Sequence, residues 1–244
     1  MKKMILGAAL CSTAVALAGA ANADADDGDF LSGSTNALIL GSTGIPTPND
    51  AYIAGAEDLY LDTNGYDGTV ASTLALTTPE TYDFTTSVTQ GEQDLVNAVV
   101  ADYDAGDMGC NAGVCSDPLT IFTYSQSSAI AALAEQQLAT DNIPDDALRF
   151  VMTGADPLGV PDNLYPTEVF NIDGDFWVLP GTLGTTWDDI ELELAQHFAY
   201  LWLTPAEIAA ATTAVDGLTT VFDMPTLTLD QLWDSLIAAA IAGF

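Results

Sequence analysis

Apolar positions along this chain fall into short unbroken runs set between longer stretches of helical spacing. Ala37-Leu38-Ile39-Leu40-Gly41, Leu119 to Tyr124, Leu148 to Thr153 and Glu168 to Ile172 are hydrophobic or β-prone throughout. Continuous hydrophobicity without alternation suits strands covered on both faces. Helical spacing runs through Asp50 to Leu61, Val88 to Tyr103, Ser127 to Leu138 and the stretch around Ile190 to Leu203. Thr204-Pro205-Ala206-Glu207 offers an N-cap threonine, a proline at the first helical position and a glutamate at the third, which start another helix. Thr228-Leu229-Asp230-Gln231 starts the last by the same logic. Strands interleaved with helices, with no internal repeat and no linker, predict a single α/β domain with a mostly parallel sheet flanked by helices.

The first residues stand apart from this pattern. Lys2 and Lys3 precede an apolar run from Met4 to Ala20, and Ala21-Asn22-Ala23 follows with small residues at the spacing that signal peptidases use. We read residues 1–23 as a secretory signal and 24–244 as the folded domain, exported to the cell envelope or beyond. The run is short for a transmembrane anchor and acidic residues follow it at once, so no stable membrane anchor is expected after cleavage.

Charge narrows the partners. Without the leader, Arg149 is the sole lysine or arginine against 35 carboxylates. No basic cluster exists to displace phosphate counterions, which argues against nucleic acid, and anionic lipid would be repelled. At 49% hydrophobic residues the chain is nevertheless no acidic disordered tail. Such a surface bears on solubility in salt, not on catalysis.

Two cysteines remain after the leader, Cys110 and Cys115, separated by a glycine-containing turn. In an exported protein this pair reads as a disulfide. One histidine and two cysteines at this spacing match no zinc pattern. Asp24 to Asp29 and Asp62-Thr63-Asn64-Gly65-Tyr66-Asp67-Gly68 resemble calcium loops, but neither fits the EF-hand positions, the second because Tyr66 stands where an oxygen ligand is needed. No metal and no cofactor is expected.

The chemistry concentrates at Ser125. The run Leu119 to Tyr124 stops at this serine, and an alanine-rich helical stretch begins directly after it. Strand, serine and helix in that order form a nucleophile elbow, which lifts a hydroxyl onto the carboxyl edge of a parallel sheet. The chain's only histidine, His197, lies downstream with acidic residues between. Serine, acid, histidine is the order of α/β-hydrolases.

Four blocks carry a more specific likeness. Thr123-Tyr124-Ser125-Gln126-Ser127-Ser128, Leu148-Arg149-Phe150-Val151-Met152-Thr153-Gly154, Tyr165-Pro166-Thr167-Glu168-Val169-Phe170 and His197-Phe198-Ala199-Tyr200-Leu201 follow one another as in the PE-PPE domain. Leu40-Gly41-Ser42-Thr43-Gly44-Ile45-Pro46 resembles that family's glycine-rich loop after the first strand. The resemblance implies a cutinase-like α/β serine hydrolase of mycobacteria and related actinobacteria. It puts the nucleophile on Ser125 and the base on His197. The family's acid segment, D-G-x-A-D-F-P, is shortened here to Asp173-Gly174-Asp175-Phe176. Spacing from His197 favours Asp175, with Asp173 as the alternative acid. The oxyanion hole would use the backbone N–H of Gln126 and a donor from Ser42 or Thr43.

Three departures bear on the pocket and the elbow. Thr123 replaces the usual first glycine of the pentapeptide, Gly154-Ala155-Asp156-Pro157 replaces G-N-P-x-R-P, and the insertion before Tyr165-Pro166-Thr167 is nearly absent. The implied activity is hydrolysis of small acyl-ester or lipid substrates through an acyl-enzyme. Acyl transfer onto envelope lipids, and a silent scaffold used for surface binding, stay open as alternatives.

Overall fold

The computed structural model describes residues 30–157, 159–178 and 187–242. Residues 1–23, read above as a secretory signal, and the Asp24 to Asp29 cluster lie outside them. Among the described residues a seven-stranded sheet forms the centre, in the order β2-β1-β5-β6-β7-β9-β8. Its strands are β1 (Ala37–Leu40), β2 (Thr73–Leu76), β5 (Leu119–Tyr124), β6 (Leu148–Thr153), β7 (Thr167–Ile172), β8 (Thr212–Asp216) and β9 (Thr219–Met224). All neighbours pair in parallel except β8 and β9, which form an antiparallel edge. This is the mostly parallel sheet flanked by helices that the hydrophobic runs predict.

Because successive side chains on a strand point to opposite faces, each central strand feeds two cores. Ile39, Phe122, Val151 and Phe170 belong to one, with Tyr52, Tyr60, Tyr200 and Met224. Leu38, Leu40, Ile121, Phe150, Met152 and Val169 belong to the other, with Leu95, Val99, Ile130 and Leu138. The second core lies under α2 (Phe84–Ala105) and α3 (Gln126–Thr140). These two helices approach closely at Gly91, where an added Cβ would lie 2.3 Å from Ile130 Cδ1. The first core lies under α1 (Asp50–Ala56), which continues into the π-helical turn Glu57–Leu61.

Short elements complete the chain. β3 (Cys110–Asn111) and β4 (Val114–Cys115) form a two-stranded hairpin closed by the Cys110–Cys115 disulfide. Its turn residues, Ala112 and Gly113, both have positive φ, as a type I′ turn requires. α4 (Trp187–His197), α5 (Pro205–Ile208) and α6 (Leu229–Ala242) follow in the C-terminal half.

The structure corrects two expected helices. The stretch expected as helix to Leu203 ends at His197, where Phe198 N–H bonds Ala195 O and Ala199 N–H bonds Gln196 O, and Tyr200–Trp202 turns as a 3₁₀ segment. Three-residue bonds of this kind tighten a helix end and swing the chain away. At Thr204 the expected capping box is present, yet the helix it starts lasts four residues before the chain turns into β8.

Candidate active site

The order of strand addition reverses between β1 and β5: from β1 the chain goes to β2 on one side and later to β5 on the other. Ligands in open parallel sheets bind at such a switch point, outside the carboxyl ends of the strands. Ser42 and Thr43 follow β1 there, and Ser125 follows β5.

Ser125 sits at φ 61° and ψ −119°, a region that a non-glycine residue occupies only when its surroundings enforce it. Three contacts do so. Ser125 N–H donates to Thr153 O at 2.9 Å, the Ser127 hydroxyl accepts from Tyr124 N–H at 2.9 Å, and Ser128 N–H donates back to Ser125 O at 2.9 Å. Thr123, which stands where the family's pentapeptide has its first glycine, is fully buried with its hydroxyl 3.1 Å from that of Ser128.

His197, the last residue of α4, brings its Nε2 to 2.7 Å from Ser125 Oγ. On the far side its Nδ1 lies 2.8 Å from Asp175 Oδ2 and 3.0 Å from Oδ1. Both side chains are buried. Asp175 also accepts from the Tyr200 hydroxyl at 2.8 Å and from Trp177 N–H at 2.9 Å. Tyr200 in turn accepts Ile172 N–H at 2.9 Å, so the acid is tied to the end of β7. The Tyr124 hydroxyl donates to His197 O and holds the end of α4. Gly154, after β6, has φ +59°, and a Cβ there would meet His197 Cε1 at 3.2 Å and Tyr200 Cε2 at 3.0 Å. The imidazole therefore rests on a backbone that only glycine supplies.

Asp173 lies elsewhere. It is exposed, its N–H donates to Met224 O, and its carboxylate accepts from the Thr226 hydroxyl at 3.3 Å. Of the two candidate acids, only Asp175 meets the histidine. Sequence reasoning gave no role to Tyr200 or Tyr124, whose partners lie 25 and 73 residues away.

Ser125 and His197 open into a cavity of about 700 Å³ that Ser42, Thr43 and Gln126 also line. Its walls are mainly apolar: Phe84, Val88, Ala132, Leu133, Val160, Trp177, Leu194 and Phe198. As the first residue of α3, Gln126 has a backbone N–H without a carbonyl one turn back to bind. Gly41 lets the loop after β1 fold tightly beside it, since a Cβ there would lie 1.8 Å from Ile45 O. Among the described residues no cluster of histidine, cysteine, aspartate and glutamate could hold a metal ion.

The PE-PPE domain matches residues 46–177, more than half of the chain. This chain belongs to the PE-PPE domain family. The family is associated with esterase- and lipase-like α/β-hydrolases. The match includes Ser125 and Asp175 and stops before His197. An uncharacterized PPE family protein of Mycobacterium tuberculosis, PPE28, is 29% identical over 215 residues, covering 72% of this chain and 31% of that protein. The chain thus spans about a third of the length of the curated relative it matches. No helix among the described residues is long and apolar enough to cross a membrane.

Proposed function

We propose that this PE-PPE domain is a serine carboxylic-ester hydrolase acting on acyl esters of short to medium chain. The observation that carries the reading is the unbroken line from Ser125 through His197 to Asp175, opening into an apolar cavity. Asp175, itself fixed by Tyr200 and Trp177 N–H, accepts a hydrogen bond from Nδ1–H and leaves the Nε2 lone pair facing Ser125. His197 takes the serine proton as Oγ attacks the ester carbonyl, and Asp175 offsets the charge of the imidazolium. The tetrahedral oxygen turns toward Gln126 N–H and the Ser42–Thr43 loop, where fixed donors cost no reorganisation. His197 then protonates the leaving alcohol. Water activated by the same imidazole releases the acid from Ser125. The acyl chain lies against Phe84, Leu133, Trp177 and Phe198.

Turnover of a p-nitrophenyl ester tests this reading. Ser125→Ala and His197→Ala are each expected to lose about 10⁴-fold in turnover while staying folded, because nucleophile and base act as one unit. Near-normal turnover by either folded variant overturns it. Residues 1–23 we take as a leader for export, with Asp24 as the first residue of the exported chain. N-terminal mass analysis of protein from culture medium and envelope checks this, and an intact Met1 on all exported protein contradicts it.

A further inference from the structure

The segment between β2 and α2 touches both halves of the candidate oxyanion hole through two consecutive carbonyls. Glu80 O accepts Gly44 N–H at 2.7 Å and so holds the turn that carries Ser42 and Thr43. Thr81 O accepts Gln126 Nε2 at 3.0 Å and so holds the residue after Ser125. The hydroxyl of Ser87 closes the second contact, accepting from Thr81 N–H at 3.0 Å and donating to Gln126 Oε1 at 2.7 Å. On the other flank Thr78 N–H donates to Pro46 O at 3.0 Å.

Glu80 is an unusual residue for a connecting loop. It is 1% exposed, its φ is +44°, and its Oε2 has no hydrogen-bond partner among the described residues. Its other oxygen accepts from the Thr78 hydroxyl at 2.8 Å, which pins the turn. Burial pushes the acid up to about 7, the Thr78 bond opposing the shift. A left-handed glutamate with a buried, half-satisfied carboxyl is costly on both counts. Such strain persists where the surrounding structure over-determines it, and here the strained residue is the link between the two donor-bearing segments.

We propose that Glu80, with Ser87 and the Gln126 side chain, is a positioning residue that sets the spacing between the Ser42–Thr43 loop and the Gln126 N–H. The proposal rests on the reading of Ser125 as the nucleophile. None of the three side chains is required to touch substrate; each acts through a backbone donor. An oxyanion donor contributes only as charge develops, so misplacing it depresses kcat and leaves ground-state binding alone.

Kinetics with a p-nitrophenyl ester on folded full-length variants provide the test. Glu80→Ala and Ser87→Ala are expected to lower kcat about 10- to 100-fold with KM within about twofold of wild type. A boronic acid that mimics the tetrahedral intermediate should weaken in parallel with kcat/KM. Glu80→Gln keeps an acceptor for Thr78 and should recover kcat to within about threefold of wild type. Ser87→Ala decides the matter if Glu80→Ala does not fold. A folded Ser87→Ala enzyme with wild-type kcat, or losses confined to KM, overturns the inference while an active wild type leaves the esterase reading standing. A wild type that neither turns over ester nor reacts with a fluorophosphonate removes both.

Discussion

Asp175 answers to three donors, His197 Nδ1, the Tyr200 hydroxyl and Trp177 N–H, whereas the exposed Asp173 carboxylate accepts from the Thr226 hydroxyl. Asp175→Asn is therefore expected to fold and to lose about 10⁴-fold in kcat, because the amide favours the wrong imidazole tautomer. Asp173→Asn should retain activity and shift stability by about 0.5 kcal/mol or less. Steady-state kinetics and thermal melts of the two proteins check the pair; an inactive Asp173→Asn beside an active Asp175→Asn contradicts it. Glu135 makes a second case at this scale. It is fully buried in α3, neither of its carboxyl oxygens has a hydrogen-bond partner among the described residues, and burial pushes its acid up to about 9. The folded protein keeps this proton while the unfolded chain gives it up, so stability is complete below the unfolded value near 4.5 and falls as pH rises toward 9. Glu135→Gln removes the titration. Its melting temperature should match wild type near pH 4 and clearly exceed it at pH 8. Equal melting temperatures at both pH values would contradict this. Ser125 and His197 were legible in the sequence because one ends a β-run before a helix and the other is the chain's only histidine. The Tyr200 clamp and the Glu80 carbonyl were not, since each acts through a contact that only the folded chain brings together.

Elements differ in how plainly they announce themselves. β1, β5, β6 and β7 are buried nearly throughout, and their unbroken apolar runs declare them. β8 is exposed along its whole length, which leaves no hydrophobic signature to read, and β2 is a partly covered run of four residues; both lie at sheet edges. The α4 boundary was hidden for the opposite reason: Ala199, Tyr200, Leu201 and Leu203 keep apolar spacing because they enter the core, not because they are helical. That break is what delivers His197 at the end of a helix and Tyr200 beneath it. Gly154 sets the height of the pair from below. Gly154→Ala forces a side chain to positive φ and against the imidazole, so kcat should fall about tenfold or more and stability by about 1–3 kcal/mol. Calorimetry and kinetics on the same sample check it; full activity at wild-type stability would mean the ring tolerates the displacement.

For the whole molecule, the alternation of strand and helix was enough to specify a parallel sheet covered on both faces, and the switch point between β1 and β5 then brings Ser42 and Ser125 to one edge. Charge acts at this scale as well. The formal net charge is −32 with three lysines and arginines in the full sequence, and Arg149 itself is flanked by Asp145 and Asp146 and donates to Leu148 O. Repulsion among the carboxylates is screened as the Debye length shrinks from about 10 Å at 0.1 M to about 3 Å at 1 M salt. The melting temperature is expected to rise between these two sodium chloride concentrations. An unchanged midpoint would show that the carboxylates are spaced too widely for repulsion to matter. The reading of the domain as an esterase is tested most directly by trapping its nucleophile. After incubation with a fluorophosphonate, peptide mapping should find one adduct, on Ser125, absent from Ser125→Ala and formed far more slowly in His197→Ala. An adduct on another serine, or none on a folded wild-type protein, would contradict the assignment.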